Sequence, residues 1–245
     1  MAKNSKINTL VILAGGLGTR LAEETQKKPK PMVKIGTKPI IWHIIKHYQH
    51  YGFKNFIICA GYKGYMIKKF IHRSKDLSKE NIKIVNTGLK SLTATRLSKV
   101  KFFLPDNFCL TYGDAVSNIN INRLINFHFK KKSIFTITGV VPSSRYGSIK
   151  FNNKNRVVKF MEKKDFNRDF VSGWYFVLNK LIFKYITKKN EMLENAPMKK
   201  IVKTYKMYMY KHNGFWQCMD TIRDKEVLEE FSKKEKIPPW HKKIP

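Results

Sequence analysis

The chain is short of cysteine, of acidic side chains and of long apolar runs, and each shortage removes a class of protein. Cys59, Cys109 and Cys218 lie far apart and match no metal or redox spacing. Two of the three sit in apolar runs, so they read as buried free thiols in a reducing compartment, and a cytoplasmic protein is expected. The longest apolar runs, such as FIICA at 56–60, are strand-sized, and no membrane insertion is expected. The N-terminus is basic and then apolar, as in a leader peptide. Its apolar stretch is only Leu10 to Ala14, however, and glycines follow at once, which suits a first buried strand better.

Acidic residues number 17 against 49 lysines and arginines, a net charge of +32 that invites a nucleic-acid reading. The lysines do not gather on one element. They recur throughout, as at Lys27-Lys28, Lys130 to Lys132, Lys188-Lys189 and Lys242-Lys243. A solvated basic surface is the plainer reading. It favours anionic substrates and weak polyanion contact, with no specific nucleic-acid partner.

The apolar share, 42% with 13% aromatics, is that of a globular protein, and 245 residues suffice for one large domain. Over residues 1–130 strand-like and helical patterns alternate. TLVILA (9–14), FKNFIICAGY, NIKIVNTG and NFCLTYGD read as strands. Helical spacing runs from Pro39 to Tyr51, over GYMIKKFI and over 92–103. Strands separated by helices imply right-handed crossovers and a mostly parallel α/β sheet with helices on both faces. Residues 131–245 are richer in strands (SIFTITGVV, YGSIKFN, RVVKFME, FVSGWYFVL), with a partly antiparallel arrangement expected. Helical patterns follow at 179–187 and 191–203, then a strand at 205–211 and a helix from about 221. We expect a single α/β domain over 1–245, with a β-rich substrate half beyond about residue 130.

In such sheets ligands collect beyond the carboxyl ends of the strands. VILAGGLGTR (11–20) places Gly15, Gly16 and Gly18 there, followed by Thr19 and Arg20. Main-chain N–H groups after a buried strand make an anion site. The loop lacks the Gly-Lys-Ser/Thr of a Walker loop and the third glycine of a dinucleotide loop. Arg20 offers forked donors suited to phosphate. In KKPKPM (27–32) the prolines stiffen the chain in an extended path, which presents Lys30 near the glycine loop, either as a phosphate ligand or merely solvated. Asp114 follows Gly113 at the end of an apolar strand, where it either turns the chain or, with substrate phosphates, holds Mg2+. Asp220 precedes an apolar-periodic run in which Thr221 and Asp224 suggest a capping box, so it reads as a helix cap or as a second metal carboxylate.

LAGGLGTRL, KPKPM, KPIIWHI, CAGYKGY, TYGDAV and GFWQCMDTIRDK, in this order, resemble the sugar nucleotidyltransferases, and among them the glucose-1-phosphate cytidylyltransferases. The similarity runs almost end to end, and it implies a nucleotide-binding half over about 1–130 and a sugar-phosphate-binding half over about 131–245. It implies a Rossmann-like nucleotidyltransferase fold, a homo-oligomer, and a reaction of a nucleoside triphosphate with a sugar 1-phosphate. That reaction releases pyrophosphate and gives a nucleotide sugar for surface polysaccharide, such as lipopolysaccharide O-antigen. CTP and glucose 1-phosphate are the favoured substrates, and the alternatives are a uridylyl- or guanylyltransferase acting on another sugar phosphate, or a non-catalytic polyanion-binding relative. By the same resemblance Asp114 and Asp220 hold Mg2+. Arg20, Lys30 and Asp114 carry the catalysis. Leu13, Ala14, Gly15, Gly16, Gly18, Thr19, Arg20, Lys30, Ser91, Thr93, Arg96 and Gly113 surround the nucleotide. Tyr146, Gly147, Glu162, Lys163, Ser172 and Gly173 surround the sugar phosphate.

The chain departs from the family pattern in four places. TATR (Thr93 to Arg96) stands for Thr-Gly-Gly-Arg, Lys164 replaces a proline, and Ser172-Gly173-Trp174 replaces Asn-Gly-Gly. The connection from Phe70 to Val85 is shorter. Trp174 either fills a sugar pocket or packs against the sheet.

Overall fold

The computed structural model describes residues 7–77, 80–142, 148–161 and 170–242. The chain runs from β1 (Thr9–Ala14) through α1 (Ala22–Thr25), the small ribbon of β2 (Lys34–Ile35) and β3 (Lys38–Pro39), and α2 (Ile40–Gln49). It continues with β4 (Asn55–Ala60), α3 (Gly64–Arg73), β5 (Asn81–Asn86), α4 (Thr93–Lys99) and β6 (Asn107–Tyr112). Next come β7 (Ala115–Ser117), α5 (Ile121–Lys130), β8 (Phe135–Val140), β9 (Ser148–Phe151), β10 (Val157–Met161) and β11 (Val171–Asn179). Then follow α6 (Ala196–Val202), β12 (Met207–His212), β13 (Trp216–Cys218) and α7 (Ile222–Lys234).

Seven strands form the main sheet in the order β12-β8-β11-β6-β1-β4-β5. β1 pairs in parallel with β4 and β6, β4 with β5, and β12 with β8. β11 alone runs antiparallel, inserted between β6 and β8. The fold is therefore α/β and mostly parallel, with the antiparallel strand in the second half. Side chains along β1 alternate between two cores, as a strand buried on both faces requires. Leu10, Ile12 and Ala14 pack with α2, α3, α5 and α7, while Val11 and Leu13 pack with α4 and α6.

Local chemistry explains the boundaries. α2 buries Ile40, Ile41, Ile44, Ile45 and Tyr48 on one stripe, and Pro39 in extended geometry starts it. Sequence patterning left α5 unassigned. Its stripe of Ile121, Leu124 and Ile125 ends in a buried histidine, His128, and Asn120 caps it by accepting from the Arg123 amide at 3.0 Å. The helix expected over 179–187 is a single 3-10 turn, Lys180–Lys184, started by the Asn179 side chain. The helix expected from 191 begins only at Ala196, beside Pro197, because the residues before it are hydrogen-bonded to α4 instead. Among the described residues no helix is long and apolar enough to cross a membrane.

Candidate active site

β1 and β6 are neighbours in register, with Leu13 opposite Tyr112, so their carboxyl ends release the glycine loop and Gly113-Asp114 side by side. The Gly113 amide donates to the Leu13 carbonyl at 3.0 Å. A cavity of about 310 Å³ opens above these ends. All twelve residues expected around the nucleotide line it, as does Asp114. Gly18 needs its glycine, since its φ of 71° is left-handed. Gly15 needs its own for another reason: a Cβ there would sit 2.1 Å from Nη1 of Arg96.

Arg96 is the clamp behind the loop. Its guanidinium donates to the Gly15 carbonyl at 2.8 Å, Thr87 Oγ1 at 2.6 Å, the Gly88 carbonyl at 2.9 Å and the Leu89 carbonyl at 3.2 Å. Arg96 was expected at the nucleotide. The side chain is buried and its charge is spent on the walls of the cavity. The hydroxyls of Ser91 and Thr93 are likewise engaged, Ser91 with the Thr87 carbonyl and Thr93 with Glu194 Oε2 at 2.9 Å.

Lys30 arrives by a different backbone path from the extended one expected. Pro29 is extended, but Lys30–Met32 then wind one 3-10 turn, closed by the Met32 amide on the Pro29 carbonyl at 2.8 Å. Pro31 at the start of that turn costs no donor. The buried Lys30 ammonium is 2.8 Å from Asp114 Oδ2 and also contacts Asp220 Oδ1. Burial opposes its charge, but the two carboxylates outweigh that, and its pKa is raised. Burial also raises Asp114, against the pull of Lys30.

Asp220 reaches Asp114 through β13, which pairs antiparallel with β7, and the Met219 amide donates to the Asp114 carbonyl at 2.9 Å. Asp220 is not the cap of α7. Thr221 takes that place and Asp224 completes the box, leaving the Asp220 carboxylate turned to Lys30 and to Arg20, whose Nη1 is 2.7 Å away. Arg20 and Lys30, expected on phosphates, are thus paired with the expected metal carboxylates. The residues suit a hard cation: two carboxylates converge, and the buried Asp114 Oδ1 has no hydrogen-bond partner among the described residues.

The sugar side is described only in part. Tyr146, Gly147, Glu162 and Lys163 lie outside the described residues. Ser172 and Gly173 lie on β11, where the Gly173 carbonyl accepts from Trp216 Nε1 at 2.8 Å. Trp174 follows at a register shift with φ of 61°, half-buried, its ring 5.6 Å from Tyr112 and 5.8 Å from Trp216. A bulky side chain in the left-handed region stores strain, held here by aromatic packing.

A nucleotidyl transferase family model matches residues 9–224, nearly the whole of this arrangement. The chain belongs to that family. This nucleotidyl transferase is 40% identical to a glucose-1-phosphate cytidylyltransferase of Salmonella typhimurium, over 93% of its own length and 97% of the relative's. It is 37% identical to a probable glucose-1-phosphate cytidylyltransferase of Bacillus subtilis, over 87% and 92%. Its fold is shared with HddC from Yersinia pseudotuberculosis complexed with GMP-PN, with a TM-score of 0.73, 20% identity and coverage of 93% and 100%. A putative glucose-1-phosphate thymidylyltransferase from Bacillus anthracis shares it too, at a TM-score of 0.71, 16% identity and coverage of 94% and 96%. The nucleotidyl transferase cavity also has walls the sequence did not announce. Pro31 and Tyr112 lie inside motifs already noted and Leu92 borders one, whereas Met192 comes from a distant segment without any motif of its own.

Proposed function

We propose that this nucleotidyl transferase converts CTP and glucose 1-phosphate to CDP-glucose and pyrophosphate. The observation that carries this reading is the convergence of Asp114, Asp220 and Lys30 beside the glycine-loop cavity. The choice of substrates draws on the cytidylyltransferases it resembles over nearly their whole length.

An oxygen of the sugar 1-phosphate attacks the α-phosphorus, a new P–O bond forms, and the bond to the β-phosphate breaks as pyrophosphate leaves. Both reactants are anions, so the residues must neutralise and align them. Asp114 and Asp220 would hold Mg2+, which when bound polarises the nucleotide phosphates as a Lewis acid. The amides from Gly15 to Thr19 and the exposed Arg20 take charge from the leaving pyrophosphate. Lys30, released from the carboxylates, turns to the α-phosphate, and Lys163 fixes the attacking phosphate. Arg96 keeps the Gly15 carbonyl pulled back, so that the loop offers donors to the ligand. In this reading one domain spans 1–245, and a cytoplasmic homo-oligomer supplies a nucleotide sugar for surface polysaccharide synthesis.

The test is product formation with Mg2+ across CTP, UTP, GTP and ATP and a panel of sugar 1-phosphates. CDP-glucose as the dominant product, lost on adding EDTA, is the expected result. Another dominant pair would replace these substrates with a uridylyl- or guanylyltransferase's. Silence across the panel from folded protein would overturn nucleotidyl transfer and favour a polyanion-binding relative, recognised by steeply salt-dependent binding to nucleic acid.

A further inference from the structure

The cavity lining has two chemistries. Lys30, Arg20 and Asp114 make part of it charged, while Leu13, Leu92, Tyr112 and Met192 make another part apolar. Phosphates belong with the first and a base, with its flat π-face, with the second. Leu13, Leu92 and Tyr112 all come from the nucleotide-binding half. Met192 does not. It stands in the segment before α6 and is 40% exposed, a large apolar side chain held at the cavity rather than in the core.

The segment carrying it is stitched to α4. Asn190 Oδ1 accepts from the Leu92 amide at 2.9 Å, and its Nδ2 donates to the Lys90 carbonyl at 2.9 Å. The Glu191 carbonyl accepts from the Ala94 amide at 3.2 Å, and the Glu191 amide donates to Thr95 Oγ1 at 3.1 Å. The Leu193 amide donates to Thr93 Oγ1 at 2.7 Å. These bonds satisfy amides at the start of α4, which has no side-chain cap of its own. They also fix the backbone on both sides of Met192, so its side chain leaves the chain from a set point on the cavity wall.

Resting on the nucleotide reading above, we propose that Met192 is a specificity-determining residue that closes the base end of the cavity. It packs its side chain on a pyrimidine and occupies the volume a purine's second ring would need. A thioether suits this contact, since sulfur packs favourably against aromatic rings. Asn190 acts through it as a positioning residue.

The experiment compares wild type, Met192→Leu, Met192→Ala and Asn190→Ala, using CTP and GTP with glucose 1-phosphate. For each protein, kcat/KM is measured alongside calorimetric binding of both nucleotides. Met192→Leu keeps the volume and should keep the CTP:GTP preference. Met192→Ala should lower that preference by about tenfold or more, since even a single methylene group carries an effect of that size in a specificity pocket. The change should appear in binding and KM rather than in kcat. Asn190→Ala should lower the preference in the same direction by less. A Met192→Ala protein that binds CTP and GTP in the wild-type ratio would overturn the role given to Met192 while leaving nucleotidyl transfer standing. A wild-type protein that bound neither nucleotide would overturn both.

Discussion

The Lys30 ammonium is 2.8 Å from Asp114 Oδ2 and also touches Asp220, so a single buried cation joins carboxylates from the middle and the C-terminal part of the chain. Its removal would leave negative charge buried and unpaired, which costs about 3–5 kcal/mol in comparable settings. Lys30→Met should therefore lower the melting temperature sharply. Added Mg2+ should recover part of the loss in the variant and do less for wild type. Melting curves with and without Mg2+ check this, and equal Mg2+ responses would remove Lys30 from its place beside the metal carboxylates.

Arg96 holds the glycine loop from behind, through forked bonds that a lysine cannot reproduce. Arg96→Lys should keep the charge and still slacken the loop. KM for the nucleotide should rise about tenfold, equivalent to about 1.4 kcal/mol, with a smaller fall in kcat. Steady-state kinetics in both substrates separates the two effects. An unchanged nucleotide KM would show that the loop keeps its shape without the clamp.

Acid should destabilise the fold before it protonates most carboxylates. Burial holds His43 and His241 at about 4, His47 at about 3 and His128 at about 4, all below the ordinary histidine value. His43 and His241 are 2.9 Å apart, and Trp240 Nε1 donates to His43 Nδ1 at 3.1 Å, so protonating His43 would set donor against donor. The unfolded chain takes up these protons near pH 6.5 and the folded chain does not. Stability is thus fully present above about pH 7 and falls as pH drops from about 6.5 to 4. The melting temperature should fall by more than about 10 °C across that window. His43→Gln should flatten part of the slope.

The parts of this molecule legible in its sequence are those written in short range. TLVILA is β1 residue for residue, because a strand buried on both faces reads as an unbroken apolar run. The glycine loop and Gly113-Asp114 announced themselves at strand ends, where a parallel sheet gathers ligands. α5 stayed hidden because its buried face ends in a histidine, while Phe127 and Phe129 lie off that face. Asp220 was ambiguous for a different reason. Thr221 and Asp224 build the cap locally, but only the pairing of β13 with β7 brings Asp220 to Asp114. Arg96 and Met192 show the same limit. A buried guanidinium serving backbone carbonyls, and a methionine carried into a cavity by a distant segment, depend on tertiary contacts that no local spacing encodes.

The most direct test of nucleotidyl transfer at this site is the turnover of Asp114→Asn beside wild type, with CTP, glucose 1-phosphate and Mg2+. The substitution keeps the shape of the side chain and removes the charge. The account predicts a loss of kcat of about 10²–10³-fold or more, with the melting curve still cooperative. Turnover within a few-fold of wild type would contradict it.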